Sequence, residues 1–138
     1  QHADFFSVGT NDLAHYTLAA DRHDGRSAAG PLDPAVLALL ERAVNAACDA
    51  GITCSMCGGM AADPVSLGLA LGLGYRQVSV PVSAVPLARA VIRNIDLGAA
   101  TEVARQALDC VSADAVRELL LERLGPALGT LWEDHGLA

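Results

Sequence analysis

Basic and aromatic side chains are scarce in this sequence, and their scarcity excludes one large class of function. The 138 residues contain no lysine, nine arginines and 16 acidic residues, which gives a formal net charge of −7. Only 4% of the residues are aromatic. Proteins that bind nucleic acid need clustered positive charge for the phosphates and flat rings for the bases. The composition therefore argues against a nucleic-acid partner.

The sequence also lacks an apolar run long enough to cross a membrane. A spanning helix needs about 18 to 20 apolar residues, and Asp, Arg or His interrupts each candidate segment. The first residues show no basic-then-apolar signal pattern. With 52% hydrophobic and 18% charged residues, the composition is typical of a globular chain with one core. We therefore expect a cytoplasmic protein without membrane insertion.

Four cysteines occur without a secretory signal, and we interpret them as reduced thiols rather than a disulfide framework. They are Cys48, Cys54, Cys57 and Cys110. Cys54 and Cys57 form a CxxC pair, which would suit redox chemistry or zinc. However, residues three apart on a strand point to opposite faces, and no second pair of ligands follows. We predict that Cys54 is buried and that Cys57 is the exposed thiol.

Short β-type runs alternate with helical patterns along the first 95 residues. Strands are predicted at Asp4–Val8, at 52–57 and at Gln77–Val80. The predicted helices cover 11–20, 34–50, 64–73 and 85–92, and a long polar loop covers 20–34. Strand and helix units in succession favour parallel strands joined by right-handed crossovers. The sequence therefore predicts an α/β fold.

Beyond Asp96 the pattern is helical only, with helices predicted at 99–108 and, after a Ser112 cap, at 113–124. Residues 125–138 are interpreted as a helical tail. We therefore assign 1–95 to βα units that carry the site residues and 96–138 to C-terminal helices. Because Gln1 is not an initiator methionine and parallel strands need partners on both edges, we expect a piece of a longer chain.

The residues at which the predicted strands end are candidates for functional groups. These ends are Gly9–Asp12, Cys57–Gly59 and Val80–Ser83. In a closed eight-stranded barrel, reactive groups lie in the loops after the strands. Asn11 and Asp12 combine an amide with a hard oxygen ligand, which suits a phosphorylated anion and Mg²⁺. Capping of the next helix by Thr10, Asn11 or Asp12 is the commoner use of such residues. Arg22 could add a fork-shaped anion donor.

Three blocks follow one another along the chain: "DFFSVGTNDLAHYTLAADR" (Asp4–Arg22), "SMCGGMAADP" (Ser55–Pro64) and "LGLGYRQVSV" (Leu71–Val80). In this order they resemble the C-terminal part of the phosphoenolpyruvate (PEP)-utilising barrel of enzyme I of the sugar phosphotransferase system. The resemblance extends from about Asp4 to Leu124. It implies about three βα units and the terminal helices of a (β/α)8 TIM barrel.

The same resemblance implies roles for single residues. Asn11 corresponds to the family's PEP-contacting asparagine, Asp12 to its Mg²⁺-binding aspartate and Arg22 to a substrate-binding arginine. Cys57 matches the cysteine that protonates the methylene carbon of the enolate as pyruvate forms. The implied activity is phosphoryl transfer from PEP to a histidine on an N-terminal domain, and from there to the histidine phosphocarrier protein in sugar uptake. The isolated piece is expected to be inactive.

The chemistry of these residue types agrees with the implied roles. A thiol of ordinary pKa, about 8.5, is protonated at neutral pH and can donate a proton. We expect Gly9 to let the backbone approach closely and Thr10 to cap the helix. One departure concerns Gly59, because many enzyme I sequences have Glu there. The Cys-Gly-Gly pattern is more similar to that of multiphosphoryl-transfer fusions. The longer protein could therefore be either enzyme I itself or such a fusion.

Two alternatives use the same fold. One is a relative of pyruvate-phosphate dikinase or PEP synthase, and the other is an inactive regulatory or dimerisation piece. The crowded leucines at 119–121 and 124 would suit subunit packing. Because part of a barrel leaves strand edges and an apolar face uncovered, we also expect a homo-oligomer.

Overall fold

The computed structural model describes residues 2–19 and 30–131. Most of the predicted polar loop, including Arg22, and the last residues of the predicted tail lie outside this part of the chain. In the described ranges, no helix combines the length and the apolarity that crossing a bilayer requires.

A parallel sheet of three strands organises the fold. The strands are β1 (Phe5–Gly9), β2 (Thr53–Cys57) and β3 (Gln77–Ser79), and their order in the sheet is β1-β2-β3. Gly9 is paired with Cys57, and Cys57 with Ser79. Because all three strands run in one direction, their carboxyl ends meet at the same edge of the sheet.

Helices follow each strand, which confirms the predicted α/β class with three βα units and terminal helices. The described helices are α1 (Thr10–Leu18), α2 (Pro34–Asp49), α3 (Gly59–Ala62), α4 (Pro64–Leu73), α5 (Val85–Asn94), α6 (Leu97–Leu108) and α7 (Ala113–Leu128). Short 3₁₀ turns lie at Gly30–Leu32, Val82–Ala84 and Gly129–Leu131. The four-residue helix α3 was not predicted, since a single turn is too short to show a helical period. The boundary proposed between 95 and 96 falls between α5 and α6, and the division into two segments stays a prediction.

Local sequence signals account for where several helices begin. The Asp33 carboxylate accepts a hydrogen bond from the Ala35 N–H at 2.9 Å, and proline follows at the first helical position of α2. Asp63 caps α4 in the same way, through the Ser66 N–H at 2.7 Å. The predicted Ser112 cap of α7 is also present. Each such cap stabilises its helix by about 1 kcal/mol.

One face of the sheet packs against the helices and forms the core. On β2, Cys54 and Met56 point into this core, which agrees with the predicted burial of Cys54. Helix α4 lies at its centre and contacts α3, α5, α6 and α7. Leu120 and Leu124 of α7 are fully buried in the core. These two leucines therefore stabilise the fold of this chain, and the expectation that they serve subunit packing is wrong.

The opposite face of the sheet is open within the described part of the chain, and it is mostly polar. Its side chains come from alternate residues of each strand: Phe5, Ser7 and Gly9; Thr53, Ser55 and Cys57; Gln77 and Ser79. Only Phe5 is large and apolar, and it is 65% exposed. The expectation of an uncovered apolar face is therefore wrong, because small polar residues occupy most of these positions.

Close packing of α4 against α6 gives a first testable prediction. A Cβ atom on Gly72 would overlap the carbonyl group of Ala100, with the carbonyl carbon at 2.6 Å. Because backbone atoms cannot move aside as a flexible side chain can, we expect Gly72→Ala to lower the free energy of unfolding by about 3 kcal/mol. Urea-induced unfolding, followed by circular dichroism, measures this loss.

Gly30→Ala is the matched control for Gly72→Ala. Its new Cβ would lie 3.7 Å from the Cβ of Ala14, an ordinary van der Waals distance. We expect this variant to stay within about 1 kcal/mol of the parent chain. Equal stabilities of the two variants would contradict the packing described for α4 and α6.

Candidate functional site

The candidate site lies at the carboxyl edge of the sheet, where β1 leads into α1 and β2 into α3. Gly9, the last residue of β1, is in register with Cys57, the last residue of β2. Asn11 and Asp12 belong to the first turn of α1, and both are exposed. The structure thus brings together three of the four predicted site residues at one edge.

Two hydrogen bonds join the start of α1 to the end of β2. The Thr10 hydroxyl donates to the Cys57 carbonyl oxygen at 3.0 Å. The Gly59 N–H donates to the Asn11 carboxamide oxygen at 3.0 Å. Thr10 and Asn11, two consecutive residues of α1, are therefore hydrogen-bonded to the two ends of the Cys57–Gly59 segment.

These contacts overturn the capping interpretation for Thr10 and Asn11. The N-cap of α1 is Gly9, which has no side chain that could cap the helix. Thr10 instead bonds across to β2, and Asn11 bonds to Gly59. The predicted cap at Thr10 is therefore wrong, and the polar residues of this turn are used in contacts between segments.

The close backbone approach lies at Gly58 rather than at Gly9. Gly58 has a φ of +107°, a conformation that favours glycine. A Cβ there would lie 2.5 Å from the Thr10 hydroxyl oxygen. At Gly9 the nearest atom to such a Cβ is 4.0 Å away. The expectation for Gly9 is therefore wrong, and Gly58 is the residue whose identity the packing requires.

The hydrogen bond from Gly59 also fixes the orientation of the Asn11 amide. An N–H donor needs an acceptor, so the carboxamide oxygen must face Gly59. The amide NH₂ group then points elsewhere and is the part of Asn11 suited to an anionic ligand. Because Asn11 is exposed, a ligand can reach it from the edge of the sheet.

The Asp12 carboxylate lies over the end of β1. Its Oδ2 atom is the nearest atom to a Cβ placed on Gly9, at 4.0 Å. Side chains of paired residues in adjacent strands project to the same face, so this carboxylate lies on the same side of the sheet as the Cys57 side chain. A carboxylate is a ligand that Mg²⁺ favours. Within the described residues, however, no three His, Cys, Asp or Glu side chains group into a metal site, so Asp12 fits as one ligand of a larger set.

The two thiols of the CxxC pair have opposite environments, as the strand geometry predicted. Cys54 is buried, and Cys57 is partly exposed on the open face. Burial raises the pKa of the Cys54 thiol, and a hydrogen bond with Tyr75 partly opposes this shift. The Tyr75 hydroxyl in turn donates to the Leu40 carbonyl at 3.0 Å. Cys54 is therefore a structural thiol, whereas Cys57 is accessible to a ligand.

Arg22, the fourth predicted site residue, lies outside the described residues. Sequence reasoning missed the contribution of Thr10 and Gly58 to this site. The Gly58-Gly59 pair after a strand indicated an unusual backbone conformation. However, the residue that packs against this segment is Thr10, which is 47 residues from Cys57 in the sequence. Spacing alone does not show such a contact.

A family model supplies the decisive comparison. Residues 1–97 match the model of the PEP-utilising enzymes, PEP-binding domain. This chain belongs to the PEP-utilising enzyme family. The matched part of the PEP-binding domain contains β1, β2 and β3, and therefore the whole edge that carries Asn11, Asp12 and Cys57.

Relatives of two kinds share this domain. The chain is 40% identical over 129 residues to a multiphosphoryl transfer protein of Xanthomonas campestris pv. campestris, covering 92% of the chain and 15% of that protein. It is 44% identical over 121 residues to a multiphosphoryl transfer protein of Rhodobacter capsulatus, covering 86% and 15%. A phosphoenolpyruvate-protein phosphotransferase of Staphylococcus aureus is 38% identical over 122 residues, covering 87% and 21%. The chain thus spans only 15–21% of the length of these relatives.

Proposed function

We propose that this chain is part of a phosphoenolpyruvate-protein phosphotransferase, which transfers the phosphoryl group of PEP to a histidine and releases pyruvate. One observation carries the proposal: the Thr10–Asn11 pair is hydrogen-bonded to both sides of the Cys57–Gly59 segment. A group suited to binding an anion and a group able to donate a proton thereby share one edge. Substrate binding and protonation need this proximity.

The first turn of α1 binds and orients the substrate. The N-cap position of α1 is Gly9, so no N-cap side chain competes for the N–H groups of the first turn, and these groups favour a phosphate or carboxylate. The Asn11 NH₂ group adds a hydrogen bond to the same anion. Arg22, ten residues further on, is the proposed cationic clamp.

Asp12 is the proposed Mg²⁺ ligand of this chain. When bound, Mg²⁺ would withdraw charge from the phosphoryl group and would stabilise the enolate oxygen. The further ligands that such a site needs belong to the part of the fold that completes the barrel.

Cys57 is the proposed proton donor. Cleavage of the bond between phosphorus and the enol oxygen leaves the electron pair on that oxygen, as an enolate. When the enolate returns to a carbonyl group, its methylene carbon takes the proton of the Cys57 thiol, so a C–H bond forms as the S–H bond breaks. The thiolate then recovers a proton from solvent.

The proposal extends to the partners of the chain. The phosphoryl acceptor is a histidine on another domain, which passes the group to a histidine phosphocarrier protein, in the cytoplasm and in the service of sugar uptake. The open polar face and the unpaired edges of β1 and β3 in the described sheet support a homo-oligomer or further barrel strands as neighbours. The small share of each relative that the chain covers supports a separate location for the histidine.

Asn11→Asp tests the proposed substrate site, in the full-length phosphotransferase that we propose as the context of this chain. The new carboxylate keeps an oxygen that can accept from the Gly59 N–H, but it replaces the NH₂ donor by a negative charge. Because a hydrogen bond to a charged group contributes about 1.5–3 kcal/mol, we expect the KM for PEP to rise about 10- to 100-fold. Incorporation of labelled phosphate from PEP into the protein gives this constant.

Asn45→Asp is the matched control for Asn11→Asp. It makes the same chemical change at an exposed position on α2, away from the candidate site. We expect its KM for PEP to equal that of the parent protein. If Asn11→Asp behaves like Asn45→Asp, the substrate site is misassigned.

A further inference from the structure

Thr10 stands out among the polar residues of this fold. In the described part of the chain, Thr10 and Ser66 are the buried polar or charged residues, and Thr10 is 0% exposed. Its neighbours Asn11 and Asp12 are exposed in the same helical turn. A buried hydroxyl costs free energy unless it is hydrogen-bonded, and the partner of this hydroxyl is the carbonyl group of Cys57.

The contact determines how the Cys57 backbone leaves the sheet. A hydrogen bond at 3.0 Å to the Cys57 carbonyl fixes the rotation of the peptide between Cys57 and Gly58. Gly58 packs so closely that a Cβ would lie 2.5 Å from the Thr10 hydroxyl oxygen. The Asn11 carboxamide holds the next peptide through the Gly59 N–H. Two hydrogen bonds and one close backbone approach thereby join the thiol-bearing residue to the first turn of α1.

We propose that Thr10 is a positioning residue for the Cys57 thiol: its hydroxyl holds the thiol-bearing residue at a fixed place relative to the substrate that Asn11 and Asp12 orient. This inference rests on the proposed function, in which Cys57 protonates the enolate carbon. Thr10 itself does not touch the substrate. Its contribution is geometric, and a displacement of about 1 Å at a reacting group can lower a rate by about a hundredfold.

The reverse proton transfer isolates this contribution from phosphoryl transfer. In D₂O with Mg²⁺, the Cys57 thiolate takes a proton from the methyl group of pyruvate, the resulting thiol exchanges this proton with the solvent, and the enolate then takes a deuteron from the thiol. Proton NMR of the pyruvate methyl signal measures the exchange rate without any phosphoryl acceptor. The measurement is made on the full-length protein, alongside the KM for PEP.

Three substitutions at Thr10 separate the hydroxyl from the volume of the side chain. Thr10→Val keeps the shape but lacks the donor, Thr10→Ala lacks both, and Thr10→Ser keeps the donor. We expect the first two to lower the exchange rate about 10- to 100-fold with the KM for PEP within about twofold, and Thr10→Ser to stay within about threefold of the parent. A merely structural role would not give this rescue by serine or this separation of rate from KM.

Thr17→Val is the matched control. The Thr17 hydroxyl donates to the Leu13 carbonyl at 2.7 Å, in the same helix but within its own backbone. We expect this variant to exchange pyruvate protons at the parent rate. If Thr17→Val loses as much exchange as Thr10→Val, the effect is a loss of helix stability and the inference is wrong.

Cys57→Ala in the same experiment separates the two levels of the proposal. If Cys57→Ala still exchanges the methyl protons, the proposed function of Cys57 fails. If Cys57→Ala abolishes exchange but Thr10→Val and Thr10→Ala exchange at the parent rate, the proton donor is correct and the positioning role of Thr10 is wrong. The same conclusion follows if Thr10→Ser is as slow as Thr10→Val.

Discussion

Replacing Cys57 by alanine is expected to lower the rate of pyruvate formation by about a thousandfold, in the middle of the range that a positioned general acid contributes. The methyl group of alanine fills part of the same space on the open face of β2 but has no proton to donate. Binding of PEP should change little, because in the proposed site the anion is bound by α1 and not by Cys57. A coupled lactate dehydrogenase assay measures pyruvate, and a binding isotherm for PEP provides the comparison.

Cys48→Ala is the matched control for Cys57→Ala. Cys48 is also a free thiol and is more exposed than Cys57, but it lies near the end of α2, away from the carboxyl edge of the sheet. We expect no change in pyruvate formation. Retained turnover in Cys57→Ala would show that the proton comes from another donor, and the hydrogen bond from Thr10 to Cys57 would then have only a structural role.

Local signals explain why much of the fold could be predicted from the sequence. Asp33 followed by proline begins α2, and the apolar residues Val36, Leu37 and Leu40 are fully buried along it. The alternation on β2 correctly separated Cys54 from Cys57. In each of these cases the residues that determine the structure lie within a few positions of one another.

The parts that were not predicted depend on contacts between distant segments. Threonine is a residue type that often caps helices. Here the hydroxyl of Thr10 bonds to the Cys57 carbonyl oxygen instead, because β2 lies next to the start of α1. Gly58 needs glycine because of the same neighbour. The sequence shows that polar residues alternate with apolar ones along the strands. It does not show which face of the sheet the helices cover, and therefore which of the two sets stays open. Thr10 and Gly58, whose roles were not predicted, both lie at the candidate site, where contacts between distant segments replace local hydrogen bonds.

The sequence motifs and the structure give different information about the candidate site. The motif letters suggested roles for Asn11, Asp12 and Cys57, and the family model places the chain among the PEP-utilising enzymes. The structure adds that the two motifs are hydrogen-bonded to each other. Because Gly59 has no side chain, its contribution is limited to its backbone N–H. A Cβ at that position would lie 3.3 Å from the Asn11 amide oxygen, which is a tight contact, so glycine leaves the amide undisturbed.

Replacing Asp12 by asparagine is expected to lower the rate of PEP-dependent phosphorylation by about a thousandfold at a fixed Mg²⁺ concentration. Asparagine keeps the size of the side chain and one neutral oxygen, but it lacks the charge that a hard cation favours. We also expect the Mg²⁺ concentration for half-maximal rate to rise more than tenfold. Titration of the phosphorylation rate with Mg²⁺ measures both quantities.

Asp114→Asn is the matched control for Asp12→Asn, because Asp114 also lies in the first turn of a helix. Both variants lose a favourable interaction with the helix dipole, about 0.3–1 kcal/mol each. Any loss of activity caused by the lost helix-dipole interaction is therefore expected in both variants. An Mg²⁺ dependence that shifts in Asp12→Asn and not in Asp114→Asn would assign the metal to Asp12, whose carboxylate lies near Gly9, the residue paired with Cys57. Unchanged Mg²⁺ dependence in both would remove Asp12 from the metal site.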